Sequence, residues 1–273
     1  MKISYILAST KHGTLIVNRN DENHSEEYGT YGVGWNILEN GSFYNDDIEL
    51  LNSILELKKR ELNGKRPVVA IDCGANIGVH TIEFARALGN AGSVISIEAQ
   101  RSVYYALCGN IAINNCFNVD ARNVAVGGES GSLRIPFVDY HKKSSFGSLE
   151  LVRRAGNENI GQQIDYDTGY DVPLITIDSL NQPDVDFIKI DVEGMEEAVI
   201  AGALGTLSAS GPIMFIEKIK SNLGSMYQTL GDLKYDIHDI GPNILAVSRN
   251  DPISREIRKS IEGQRRLSAA SDV

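Results

Sequence analysis

Val68-Val69-Ala70-Ile71-Asp72-Cys73-Gly74-Ala75-Asn76-Ile77-Gly78 is an apolar run that ends on an acid and opens into a glycine turn. Val68 to Asp72, rich in β-branched residues, reads as a buried strand, and Val79 to Leu88 has the apolar spacing of a helix stopped by Gly89-Asn90. A strand that runs through such a turn into a helix puts the turn at the carboxyl edge of a sheet, where open α/β sheets bind ligands. Outward from this unit the alternation continues. Val94 to Glu98, Asn123 to Val126, Leu174 to Ile177, Phe187 to Asp191 and Ile213 to Glu217 read as strands; Val103 to Asn114, Met195 to about Leu207 and Leu223 to Leu233 read as helices. Such alternation implies parallel pairing through right-handed crossovers, with both sheet faces covered. Tyr235 to Ile240 and Ile244 to Val247, joined by Gly241-Pro242-Asn243, read as an antiparallel hairpin added to that sheet.

The flanks differ. Residues 1–66 form an N-terminal extension: a hairpin of Ile3 to Ala8 with Leu15 to Val17 across Lys11-His12-Gly13, expected as a lid or edge outside the core; a flexible Gly29 to Gly34; and a helix from Asp46 to Leu62 ending at Asn63-Gly64. Residues 67–250 form the core, interrupted at about 133–171 by a stretch rich in Gly, Ser, Asn and Asp, of the kind that carries specificity. Residues 251–273 read as a tail, a peripheral helix that frays.

A chain of 273 residues with 42% hydrophobic and 23% charged residues has enough apolar mass for one large α/β domain. Its net charge of −10 argues against a broad grip on nucleic acid. Cys73, Cys108 and Cys116 form no Cys-x-x-Cys pair and read as reduced thiols. The apolar start, Ile3 to Ala8, is too short for a signal peptide, and no stretch has transmembrane length, so a cytoplasmic protein without membrane contact is expected. The oligomeric state is not legible.

The chemistry-bearing residues gather at predicted strand ends. In Asp72-x-Gly74-x-Asn76-x-Gly78 the turn offers backbone N–H groups, with Ala75 between the glycines, and glycine admits a close-lying ligand. A pyrophosphate loop would more often read Gly-x-Gly-x-x-Gly; Asp72 would repel phosphate and suits an ammonium, such as that of S-adenosylmethionine. Glu98, followed by Ala99, ends the second strand where a carboxylate meets ribose hydroxyls, and Asn123 is a candidate for the adenine edge. Asp191 ends the fourth core strand and Glu193 follows in the turn, with Gly194 freeing the backbone. Lys189, inside that apolar strand, needs a partner, for which Asp178 and Asp191 are candidates.

Together with Thr176-Ile177-Asp178-Ser179-Leu180 and Phe187-Ile188-Lys189-Ile190-Asp191-Val192-Glu193-Gly194, these motifs resemble the FkbM family of methyltransferases over roughly Pro67 to Glu217. The resemblance implies a Rossmann-like class I methyltransferase fold, here a mainly parallel seven-stranded sheet with the C-terminal antiparallel hairpin. It also implies O-methylation of a hydroxyl on a sugar, glycan, polyketide or other natural product, but does not reach the extension or the insertion, so the acceptor stays open.

A neutral hydroxyl needs a base or charge-stabilising neighbour as it is methylated. Asp191 and Glu193 are the candidates, either of which could instead hold the methionine ammonium; Lys189 is an electrostatic partner and Glu217, ending the fifth strand, a possible acceptor ligand. His80, just past the turn, is placed beside the donor's tail rather than assigned as base, and His141 lies in the insertion. His12, His24 and His238 have no metal spacing, and no essential metal is expected. Phe146-Gly147-Ser148-Leu149 with Tyr140, Tyr166 and Tyr170 either line an acceptor pocket or simply pack. The competing readings are a nicotinamide-dependent oxidoreductase, a base-directed N-methyltransferase, disfavoured by the absence of a Pro-Pro-aromatic segment after the fourth strand, and a non-catalytic Rossmann-like module.

Overall fold

The computed structural model describes residues 3–26 and 29–259. Its centre is a sheet of seven strands, numbered in chain order β1 (Val68–Cys73), β2 (Gly92–Ile97), β3 (Val119–Arg122), β4 (Phe187–Ile190), β5 (Ile213–Glu217), β6 (Tyr235–Ile240) and β7 (Asn243–Ser248). The spatial order is β3-β2-β1-β4-β5-β7-β6. The first five are mutually parallel, while β7 runs antiparallel to both β5 and β6. This is the Rossmann-like class I order that the resemblance implies, with the C-terminal hairpin wedged in as expected. The order reverses between β1 and β4, and the crevice outside their carboxyl ends is where such a sheet takes a ligand.

The helices α1 (Val33–Asn40), α2 (Asn45–Leu62), α3 (Val79–Leu88), α4 (Arg101–Ile113), α5 (Glu196–Ala201), α6 (Leu204–Ser210) and α7 (Leu223–Asp232) flank the sheet. Because successive strand residues point to opposite faces, β1 gives Val68 and Ala70 to one core and Ile71 and Cys73 to the other. The first core adds Phe187 with Leu51, Leu55, Ile82 and Phe84 of α2 and α3; the second adds Ile188 and Met214 with Val199, Met226 and Leu230 of α5 and α7. Both faces are therefore dry, which is why the strands read as apolar runs.

Several expectations are corrected. The third strand is Val119–Arg122, ahead of the expected Asn123 to Val126; Ala125–Val126 pairs instead with Gly169–Ile175, which also pairs antiparallel with Gly131–Pro136 in a separate three-stranded sheet. The strand expected at Leu174 to Ile177 thus lies outside the central sheet. The helix expected from Met195 to Leu207 breaks into α5 and α6 at Gly202, where the chain passes so close to its neighbour that a Cβ would lie 2.1 Å from the Gly127 carbonyl oxygen. Gly29–Tyr31, expected to be flexible, pairs with Asn23–Ser25 as a short ribbon. Residues 254–259 are helical and Ile253 and Ile257 join the first core, while the fraying expected of the tail falls on residues outside those described. No helix among the described residues is long and apolar enough to cross a membrane.

The N-terminal hairpin, Tyr5–Thr10 with Gly13–Asn18, forms across the expected turn, but its second strand is not peripheral: Leu15 and Val17 are fully buried in the first core. Asn110 of α4 accounts for the docking. Its buried amide accepts from the Ile16 N–H and donates to the carbonyls of Ile16 and Ile77. Asn110→Leu removes all three bonds and strands buried backbone groups, a loss of roughly 2–4 kcal/mol. Urea denaturation is expected to show a lower midpoint at an unchanged slope; a wild-type midpoint would mean that apolar packing alone holds the hairpin.

Candidate active site

A cavity of about 490 Å³ opens at the carboxyl ends of β1, β2, β4 and β5. Its floor is the turn after β1. Gly74 sits at φ 76° with a Cβ position only 1.7 Å from the carbonyl oxygen of Asp191, so no other residue fits there. Gly78, at φ 90°, lies 2.5 Å from Leu107 Cδ1 by the same measure. Both glycines are demanded by the protein's own packing and backbone conformation, and Gly74 also lines the cavity. The turn's amides are also spent internally: Gly74 and Ala75 donate to the Ile97 carbonyl, Asn76 to Glu98 Oε2 and Ile77 to its neighbour Asn76 Oδ1.

Glu98 stands at the end of β2 on the cavity wall, 6% exposed. One carboxylate oxygen accepts from Asn76 N and the other from Gln100 N, at 3.0 and 2.7 Å. Each oxygen keeps a lone pair for a further donor. Burial pushes its pKa up to about 7, against the pull of those two amides.

Asp72 and Lys189 are register partners on β1 and β4. Lys189 is 4% exposed, with Nζ 3.0 Å from Asp191 Oδ2 and 3.6 Å from Asp72 Oδ1. Burial works against the ammonium, but the two carboxylates outweigh it and hold the lysine pKa above its ordinary value. Asp72 is fully buried and accepts from Thr81 Oγ1 at 2.7 Å; its carboxylate does not line the cavity. The structure places it beside Lys189 as a counter-ion, behind the cavity wall rather than on it. Asp178, the other candidate partner, instead caps α6 through the Gly205 and Thr206 amides.

Asp191, Glu193 and Glu217 meet at one end of the cavity, with one carboxylate oxygen of each within 4.8 Å of those of the other two. Burial, reinforced by the neighbouring Asp191 charge, raises Glu193 to about 8 and Glu217 to about 9. Glu193 also carries φ 52°, an uncommon conformation for a residue with a side chain. Glu196 holds it by accepting from the Val192 and Gly194 amides.

The structure therefore brings Gly74, Ala75, Asn76, Glu98, Ala99, Lys189, Asp191, Glu193 and Glu217 to one cavity, and leaves Asp72, Gly78 and Asn123 outside its lining. The Asn123 amide donates to the Glu98 and Ala99 carbonyls and fixes the wall from behind. His80 reaches the lining, but burial drives its pKa far down, so it is neutral, and it packs against Phe43 and Phe84. His141 is tied to Ser4, and His12 bridges Glu83 and the Phe43 amide. Of the expected aromatic patch only Gly147, Ser148 and Leu149 line the cavity; Tyr140 and Tyr166 bond to Gln100 and the Glu150 carbonyl, and Tyr170 accepts from the Arg101 amide. The aromatic wall comes instead from Tyr31, Trp35, Phe43 and Tyr44 of the N-terminal residues, which sequence reading missed. The run Tyr31-Gly32-Val33-Gly34-Trp35, with the protein's one tryptophan, was the available signal.

With this geometry in place, comparison with known proteins is informative at one level. The family model of the methyltransferase FkbM domain matches residues 72–237. No curated protein matches the chain. Among solved structures, methyltransferase FkbM from Methylobacillus flagellatus superposes with a TM-score of 0.49 at 16% identity, over 66% of this chain and 43% of that one. The chain thus matches less than half the length of that protein. An O-methyltransferase from Bacillus cereus in complex with SAH gives 0.44 at 16% identity, over 76% and 83% of the two chains. A SAM-dependent O-methyltransferase from Thermotoga maritima gives 0.43 at 12%, over 91% and 94%.

Asp72→Asn tests the buried pair. Removing one partner from Lys189 costs about 3 kcal/mol, and Tm is expected to fall by roughly 6–12 °C in calorimetry. An unchanged Tm with loss of ligand binding would return Asp72 to a ligand role.

Proposed function

The chain belongs to the FkbM methyltransferase domain family, and on that premise we propose that its cavity seats S-adenosylmethionine over the Gly74 turn and presents the methyl group to a hydroxyl of a sugar, glycan or natural-product small molecule. The observation that carries this reading is Glu98: a buried carboxylate at the end of β2, beside the turn after β1, with acceptor capacity left over for two ribose hydroxyls. A carboxylate in this place can serve the ribose of a nucleoside donor or of a nicotinamide dinucleotide; the turn favours the former, because the amides of Gly74, Ala75, Asn76 and Ile77 are spent within the protein rather than offered to a diphosphate. Val124, Ala125 and Ile97 supply apolar lining for the adenosine.

The bound donor supplies a methyl carbon already activated by sulfonium, so the protein's work is alignment, exclusion of water and disposal of one proton. Asp191 borders both halves of the site: its carbonyl abuts Gly74, and its carboxylate lies within the acid cluster. It can take the methionine ammonium or the acceptor. Glu193 and Glu217, with pKa values brought near neutrality by burial, suit a base that accepts the hydroxyl proton as the carbon–oxygen bond forms. Lys189 fixes the Asp191 carboxylate at 3.0 Å and balances its charge. Tyr44 and Trp35 offer ring faces to a sugar or fused-ring acceptor.

Calorimetric titration is expected to show S-adenosylhomocysteine binding and NAD⁺ not; the reverse result removes this reading in favour of an oxidoreductase. The acceptor is found by incubating the protein with labelled S-adenosylmethionine and hydroxylated glycans or small molecules, with products read by mass spectrometry. A pH dependence follows from Glu98. Its pKa is about 7 in the free protein, and two ribose hydroxyls are accepted more strongly by the ionised form than by the neutral acid, so binding lowers that pKa and releases a proton. Affinity for S-adenosylhomocysteine is then expected to rise up to roughly tenfold from pH 6 to pH 8. Glu98→Gln should bind weakly with a flat profile; a wild-type affinity in that variant removes Glu98 from the ribose.

A further inference from the structure

Lys220, in the turn between β5 and α7, has no part in the chemistry set out above, yet it sits at a junction of three chain segments. Its Nζ lies 2.6 Å from Glu193 Oε2 and 2.8 Å from Glu158 Oε2, donates to the Ser148 carbonyl at 3.1 Å, and stands 4.0 Å from Glu150 Oε1. Glu193 belongs to the acid cluster; Glu150, Glu158 and Ser148 belong to the long segment 137–168 that departs from Pro136 and returns at Gly169. The side chains of Lys220 and Glu193 are only 16% and 19% exposed, so their attraction is weakly screened.

Segment 137–168 has two kinds of attachment. Its first part is fixed to the N-terminal residues by polar bonds to buried groups: Asp21 accepts from the Phe146 amide, and Asn18 and Asn20 donate to the Tyr140 carbonyl. The part that closes the cavity, from Ser148 to Glu158, is tied down at its far end by Tyr31 Oη donating to Glu158 and Asn23 donating to the Asn159 carbonyl, and at the site itself by Lys220. Ser148, Leu149, Leu151 and Glu158 all line the cavity.

We propose that Lys220 is a positioning residue of the methyl-transfer site: one ammonium holds the Glu193 carboxylate toward the acceptor end and fastens segment 148–158 across the cavity above it. The role given to Glu193 rests on the reading of the site as a methyltransferase; the fastening does not. A single cation shared between a site acid and the covering segment couples closure to the charge of that acid. When the segment lifts away, Glu193 loses the carboxylate of Glu158 from its surroundings and Lys220 serves it alone. When the segment closes, the ammonium is divided between two carboxylates, and Glu193 becomes the stronger base. Closure over an acceptor would thus raise the proton affinity of a group beside it at the moment water is excluded.

The experiment uses Lys220→Met and Glu158→Gln, both in the full chain, with two readouts. Tryptic cleavage after Arg153 and Arg154, exposed residues of the covering segment, reports its opening. Carbon-13 titration of carboxyl-labelled glutamate, with Glu193 assigned from Glu193→Gln, reports the charge of the acid, which stands at about 8 in the intact protein. Lys220→Met is expected to be cleaved roughly five- to thirtyfold faster and to move the Glu193 midpoint up. Glu158→Gln is expected to be cleaved faster as well but to move the midpoint down, since Glu158 raises it and Lys220 lowers it. General loosening of the fold would not give opposite shifts. Cleavage of Lys220→Met at the wild-type rate, or a Glu193 midpoint that stays or falls in it, overturns the proposal; should that variant fail to fold, Glu158→Gln decides alone by the same two readouts. Trp35 fluorescence of the wild-type protein titrated with S-adenosylhomocysteine tests the donor reading separately, so failure of one is not mistaken for failure of the other.

Discussion

A lysine buried in the middle of the sheet is the constraint on which the site depends. Lys189 lies within a strand whose other residues are fully dry, and an ammonium in such a place must be matched by carboxylates or give up its proton. Asp72 matches it from the adjacent strand and Asp191 from the end of its own. That triad spans the point where the strand order reverses, so the same electrostatic demand that keeps β1 and β4 in register also places a partly exposed carboxylate at the edge of the crevice. The acid most exposed to a ligand is thereby oriented from behind rather than left on a free loop.

Close approach of backbone to backbone is the second constraint. Gly74 lies against the Asp191 carbonyl, and Asn76 donates to Glu98. The turn after β1 is thus in direct contact with the ends of both β2 and β4, and three strand ends behave as one rigid rim. Other parts of the chain are added around this rim rather than within it: the N-terminal residues bring an aromatic wall and segment 137–168 brings a cover. The strand ends and the wall and cover of the cavity therefore come from different stretches of chain.

This division also explains what could be read from sequence. Strands buried on both faces, such as Val68–Cys73 and Ile213–Glu217, announce themselves as apolar runs, and the residues at their ends could be named because strand parity and the carboxyl-edge rule fix them. The edge strand Val119–Arg122 carries Asp120 and Arg122 in a mutual ion pair and pairs on one side only, so its pattern is weak, and the more apolar Ala125–Val126 drew the assignment. Asp72 was identified as part of the site, but whether it faces a ligand or Lys189 depends on the register between two strands 117 residues apart (72 against 189), which one-dimensional periodicity does not hold. The same is true of Tyr31, Trp35, Phe43, Tyr44 and Lys220, whose relation to the cavity is set by long-range packing.

The central claim is that the rim around Lys189 receives a nucleoside through Glu98 and turns its reactive end toward Asp191, Glu193 and Glu217. A crystal structure of the complex with S-adenosylhomocysteine tests this most directly. The account predicts both ribose hydroxyls within hydrogen-bond distance of the Glu98 carboxylate and the sulfur facing the acid cluster. Ribose bound elsewhere, or a sulfur turned away from the three acids, contradicts it.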